Sequence, residues 1–181
     1  MKINTGQLDI AKQAISPNFD SRPENEVSLI VIHCISLPAG HYGSDYVCAL
    51  FCNELDCLAH DDFADLQGVK VSSHLFIHRT GLVTQFVPFE KRAWHAGQSV
   101  HRGRENCNDF SVGIELEGID TETFTDEQYK TLLEVCQEML DSWSLDLADI
   151  VGHSEIAAGR KTDPGLGFDW YRLRSQLVCN R

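Results

Sequence analysis

Residues 1–27 are mostly polar, carry Pro17 and Pro23, and show neither a strand nor a helix period. They predict an N-terminal arm packed on a domain that spans 28–181. The domain opens on Ser28-Leu29-Ile30-Val31-Ile32, a short, continuous, β-branched run of the kind that is buried on both faces of a sheet. After a loop holding Pro38, Gly40 and Gly43, residues 45–55 fit a short helix with Ser44 or Asp45 as its cap. Residues 71–78 and 82–87 read as strands joined by a turn at Arg79-Thr80-Gly81. The cleanest alternation runs through 109–117: Phe110, Val112, Ile114 and Leu116 fall on one side, and Ser111, Gly113, Glu115 and Glu117 on the other. Thr125 and Gln128 have capping-box spacing at the head of a helix whose apolar stripe is Tyr129, Leu132, Leu133, Cys136, Met139 and Leu140. Ile150 and Val151 suggest one more short strand, and 168–178 a closing helix. Hairpin and crossover connections occur together, so the pattern predicts an α/β (α+β-like) fold with one mixed central sheet flanked by helices.

Composition narrows the class. A chain of 181 residues, 43% of them hydrophobic, amounts to one domain and buries a core without disulfide staples. No apolar run approaches the roughly 20 residues of a membrane-spanning helix, and the first ten residues lack the apolar stretch of a secretory signal. A cytoplasmic monomer with no membrane partner is therefore expected. The formal charge of −12 argues against a nucleic-acid partner, whose phosphates demand cations. Arg102 with Arg104, and Arg160 with Lys161, are either salt-bridged surface or two local cationic patches beside a cleft for an acidic ligand. The seven cysteines form no CxxC pair and read as reduced thiols. Cys48, Cys52 and Cys57 lie close together, at a spacing that fits no common zinc pattern.

The chemistry gathers at strand ends. His33 closes the first apolar run, His153 follows Ile150-Val151-Gly152, and Asp163 precedes a proline that stiffens its loop. Two imidazoles and a carboxylate can hold one zinc ion with a position left open, the catalytic rather than the structural arrangement. His74, His78 and His95 compete as ligands, although His74 and His78, four apart on a strand, stand roughly 13 Å from each other. Glu115 is the general-base candidate and Glu117 its decoy on the same face. Lys161 can stabilise an oxyanion. Trp94-His95-Ala96-Gly97 suits a cleft wall that stacks on a sugar or peptide face. A thiol hydrolase using Cys34 is disfavoured, because His33 and Cys34 are adjacent on a strand and point to opposite faces.

The chain resembles the zinc-dependent N-acetylmuramoyl-L-alanine amidases. The likeness runs from about Ser28 to Arg174. It rests on His33-Cys34-Ile35-Ser36-Leu37-Pro38, on 87–97 with Trp94-His95-Ala96-Gly97, on Cys107-Asn108-Asp109-Phe110-Ser111-Val112-Gly113-Ile114-Glu115, and on Arg160-Lys161-Thr162-Asp163-Pro164-Gly165. The resemblance implies the fold shared with peptidoglycan-recognition proteins, and one Zn2+ at His33, His153 and Asp163. It also implies proton transfer by Glu115 and transition-state stabilisation by Lys161. The implied reaction cleaves the amide between the lactyl group of (1,6-anhydro)-N-acetylmuramic acid and L-alanine of a muropeptide, in cytoplasmic peptidoglycan recycling. A non-catalytic muropeptide-binding module on the same fold is the alternative. Three positions depart from the family pattern: Cys34 replaces a typical asparagine, and Asn106 and Lys70 replace common arginines. With Trp94 and His95, Lys70 and Asn106 make up the implied substrate-binding set.

Overall fold

The computed structural model describes residues 1–179. Six strands build the central sheet: β1 (Lys12–Gln13), β2 (Leu29–Ile35), β3 (Leu75–Ile77), β4 (Val83–Gln85), β5 (Ser111–Glu117) and β6 (Ile150–Gly152). Their order in space is β6-β2-β5-β3-β4-β1. Every neighbouring pair is parallel except the β3/β4 hairpin, so the sheet is mixed, as the pattern predicts. The hairpin turns at Gly81, whose φ of +81° and close approach to the Glu127 carbonyl both require a residue without a side chain.

Helices cover one face of this sheet. Ile30 and Ile32 of β2 and Val112, Ile114 and Leu116 of β5 pack on Leu132, Val135, Cys136 and Met139 of α2 (Asp126–Trp143) and on Leu173 and Leu177 of α4 (Trp170–Cys179). The Thr125 hydroxyl accepts from the Gln128 amide, and Gln128 Oε1 accepts from the Thr125 amide, which completes the expected capping box. The Gln128 side-chain amide also donates to the Ile77 and Glu117 carbonyls, tying the head of α2 to the ends of β3 and β5. The opposite face buries a smaller cluster of Leu29, Val31, Ala96, Cys107, Phe110, Val151 and Ile156.

Several expectations need correction. Phe110 does not share a face with Val112. It ends a short 3₁₀ turn at Cys107–Asp109, before β5 begins, so the alternation starts one residue later and its ring joins the smaller cluster. The face of β5 carrying Ser111, Gly113, Glu115 and Glu117 is buried, because β2 and β3 flank β5 on both edges and loops cover its polar side. The helix expected at 45–55 is shorter, α1 at Tyr46–Phe51. The closing helix starts at Trp170 rather than at 168.

The first 27 residues are stitched to the sheet. β1 extends its edge beside β4, and Phe19–Ser21 pairs antiparallel with Lys91–Ala93. Arg22 is buried without a carboxylate partner among its hydrogen bonds. Its guanidinium donates to the carbonyls of Phe89, Asn108, Asp109 and Ser111 and stands 3.2 Å from His74 Nε2. Burial lowers its pKa to about 10, so the carbonyls that surround it replace the water a cation loses on leaving solvent.

Candidate metal centre and catalytic cleft

Three adjacent parallel strands end at one place. Glu115 of β5 lies in register with His33 of β2, and Gly152 of β6 with Ile32. Parallel neighbours in register show their side chains on the same face. Glu115 and His33 therefore project together, and His153, the next residue after β6 and the first of α3 (His153–Ile156), comes in beside them. Ligand sites in parallel sheets lie at the carboxyl ends of strands, as here. Asp163 arrives on the following loop, which is held down by the Ser154 amide donating to the Asp163 carbonyl at 2.9 Å.

The three ligand candidates converge. His33 Nδ1 is 3.0 Å from His153 Nδ1 and 3.0 Å from Asp163 Oδ2, and His153 Nδ1 is 3.1 Å from the same oxygen. Two tetrahedral ligands roughly 2.0 Å from one ion stand about 3.3 Å apart, so this triangle is the size of a metal site to within a few tenths of an ångström. The donor chemistry fits as well. The Ala96 carbonyl, 3.0 Å from His153 Nε2, only accepts, so that nitrogen carries the hydrogen and Nδ1 presents a lone pair. Burial lowers the His33 pKa to about 4, leaving a neutral imidazole. Burial alone would raise the Asp163 pKa, but hydrogen bonds to His153 and His33 outweigh it and hold the carboxyl well below the usual carboxylate range. Among the described residues, these three are the only group of three or more acid, histidine or cysteine side chains placed to hold a metal ion.

The residues 23–166 match the family model described as N-acetylmuramoyl-L-alanine amidase. The chain belongs to that family. It is 47% identical to the 1,6-anhydro-N-acetylmuramyl-L-alanine amidase AmpD of Escherichia coli K12, over 96% of each chain. To the protein of the same name from Enterobacter cloacae it is 48% identical, over 99% of this chain and 97% of that one. Among solved structures, a crystal structure of a selenomethionine AmpD derivative superposes with a TM-score of 0.94, at 46% identity, over 97% of this chain and 98% of that one.

The amidase's cleft, of about 290 Å³, is lined by the three ligand candidates together with Glu115, Lys161, Trp94 and His95. An apolar wall of Leu50, Phe51, Leu66, Val69 and Val71 also lines it. Glu115 and Glu117 separate clearly in role. Glu117 spends both carboxylate oxygens on backbone amides, those of Gly43 and Arg79. Glu115 is 9% exposed, and its Oε2 has no hydrogen-bond partner among the described residues. A buried, unspent carboxylate oxygen on a cleft wall marks a group kept for something other than structure. Burial is the largest cause that raises the Glu115 pKa well above 4.5; the Asp163 charge adds to it and Lys161 opposes it.

That shift makes a stability prediction for the metal-free amidase. A carboxyl whose folded pKa is raised holds its proton more tightly in the folded than in the unfolded chain. Its contribution is complete below about pH 4.5 and is lost as pH rises towards the folded value. Glu115→Gln removes the titration. The Tm of metal-free Glu115→Gln minus that of metal-free wild type should therefore grow as pH rises from 4.5. A difference that stays flat or shrinks in calorimetry would contradict a raised Glu115 pKa.

Of the remaining expected residues, Trp94 is half-buried on the cleft wall, with its indole N–H donating to Asp20. Lys161 is exposed at the rim, Lys70 lines an adjoining depression with Leu55 and Gln67, and Asn106 is exposed on a left-handed turn outside the cleft lining. His95 does more than line the wall, because both ring nitrogens are engaged, by His33 and by Ser111. The two basic patches divide. Arg102 and Arg104 are salt-bridged to Asp149 and Glu26, and Arg160 donates to the Ala96 and Gln98 carbonyls, which leaves Lys161 facing the cleft. Sequence reasoning missed Asn108, whose Oδ1 accepts from the His95 and Ala96 amides and so shapes the wall. It missed Arg22 and Ser111 too. No local pattern signals them, because each acts through partners distant in sequence.

Proposed function

We propose that this protein is a zinc-dependent amidase of cytoplasmic peptidoglycan recycling. It hydrolyses the amide between the lactyl group of 1,6-anhydro-N-acetylmuramic acid and L-alanine in muropeptides, and acts as a monomer built of one catalytic domain, 28–181, with 1–27 packed on it. The observation that carries this reading is the unspent Glu115 carboxyl beside a His33–His153–Asp163 triangle of metal-site dimensions. The close similarity to enzymes named for that bond supports the choice of substrate.

Zinc bound by His33, His153 and Asp163 would supply a Lewis acid and a water of lowered pKa. With the zinc charge nearby, Glu115 would be held as the carboxylate, and in that form it accepts a proton as the oxygen of water bonds to the lactyl carbonyl carbon. It returns that proton to the alanine nitrogen as the C–N bond breaks. The products are a lactyl carboxylic acid and a free peptide amine, which together account for one water consumed. The Lys161 cation stands over the charge that develops on the carbonyl oxygen. Trp94 offers its ring face to the substrate, and Lys70 flanks the approach, where an ammonium suits the carboxylates of an acidic stem peptide. Asn106, outside the cleft lining, would reach only a substrate that extends beyond it. His95 belongs to the same wall.

The complete ligand triangle and the raised Glu115 pKa speak against a binding module without activity, which has no use for either. Cys34 is a poor nucleophile, because burial, then the Glu115 charge, push its thiol pKa up and keep it protonated. The test is cleavage of an anhydromuramyl peptide by zinc-loaded and by chelated protein. Activity that survives chelation but not thiol alkylation would transfer the chemistry to Cys34.

A further inference from the structure

We propose that His95 is a positioning residue that fixes the ring of His33 for metal binding, through a directional hydrogen-bond chain ending on Ser111; this rests on the metal reading of the site. His33 Nε2 lies 2.9 Å from His95 Nδ1, and His95 Nε2 lies 3.1 Å from Ser111 Oγ. The His33 and His95 rings meet edge-on, with centroids 5.0 Å apart and planes at 87°. For His33 Nδ1 to offer a lone pair to an ion it shares with His153 and Asp163, the ring hydrogen must sit on Nε2. His95 Nδ1 then accepts that hydrogen, the hydrogen of His95 moves to Nε2, and the Ser111 hydroxyl accepts it. Every group in the chain has one role only, and reversing the direction would place an N–H where the ligand lone pair belongs.

Packing holds the relay in place. A Cβ on Gly113 would lie 2.5 Å from His95 Cγ and 2.6 Å from His95 Nδ1, so the strand is glycine where the ring passes. No positive φ is involved at this glycine; the requirement is space. On the far side stands the His74 ring, 5.7 Å from that of His95, with its Nδ1 accepting from the Gly113 amide. The backbone amides of His95 and Ala96 are both held by Asn108 Oδ1 at 3.1 and 2.8 Å.

The neighbouring residue orients the other imidazole. The Ala96 carbonyl takes the Nε2 hydrogen of His153 and is itself braced by Arg160 at 2.6 Å. Two consecutive residues thus set the tautomer of both ring ligands, one with its side chain and one with its backbone. Partners that orient a ligand imidazole typically contribute 10–100-fold in metal affinity.

The test measures zinc dissociation constants by chelator competition for wild type, His95→Ala, His95→Asn and Gly113→Ala. His95→Ala should bind zinc about 10–100-fold more weakly. His95→Asn should recover most of that loss, because its Oδ1 can stand in for the accepting Nδ1, a rescue that mere cavity filling would not give. Gly113→Ala should weaken binding with His95 still present, because the new methyl displaces the ring. The ring nitrogens of His33 in metal-free wild type, read by ¹⁵N chemical shift, should show the hydrogen on Nε2. Wild-type affinity in His95→Ala, no recovery in His95→Asn, or an Nδ1 hydrogen on His33 in wild type would each overturn the proposal. A wild type that binds no zinc would overturn the metal reading with it.

Discussion

Glu115→Ala should bind zinc as well as wild type does and turn over about 10²–10⁴-fold more slowly, the usual worth of a positioned proton-transfer group. Zinc content should survive because Glu115 is not among the three converging ligand atoms, and its Oε2 has no hydrogen-bond partner among the described residues. Turnover should fall because no other carboxylate on its face of β5 is free to take over: Glu117, two residues on, already accepts from Gly43 and Arg79. Single-turnover rates on zinc-replete protein provide the check. A near-normal kcat would remove Glu115 from the mechanism.

The complementary result is expected at Asp163. Asp163→Ala should lose zinc affinity by more than the 10–100-fold typical of a partner one step removed from the metal, because the carboxylate supplies one of three ligand atoms. It is well suited to that part, since its bonds to His33 and His153 keep it ionised despite its burial. Zinc measured after exhaustive dialysis should be far below one ion per chain. Stoichiometric zinc would show that the ligand assignment is wrong. Glu115→Ala and Asp163→Ala therefore separate chemistry from metal binding, two losses that an activity assay alone would merge.

The site was legible in the sequence largely because strands have period two. The pattern placed His33 and Glu115 on strands, and in-register parallel pairing brings them to one face. The capping box at Thr125 and Gln128 and the hairpin at Arg79-Thr80-Gly81 were also readable, since each is a local arrangement. Other features depend on contacts that sequence does not encode locally. Lys12–Gln13 is a polar, two-residue edge strand, and only its pairing with β4 makes it one. Phe110 broke the expected alternation because a 3₁₀ turn precedes β5. Arg22 finds its carbonyls 67 to 89 positions along the chain. His95 read as part of a substrate wall from its Trp-His-Ala-Gly setting, while its contacts with His33 and Ser111 emerge only when the loop folds onto β2 and β5.

Water, with zinc bound at His33, His153 and Asp163, should cleave the lactyl–alanine amide. The most direct measurement incubates zinc-loaded protein with an anhydromuramyl peptide in ¹⁸O-labelled water, beside a chelated control, and identifies the products by mass spectrometry. A free peptide that begins at L-alanine and an anhydromuramic acid whose lactyl carboxyl carries one ¹⁸O should form, both absent from the control. Intact substrate after incubation with verified zinc-loaded protein, or label at any other bond, would contradict it.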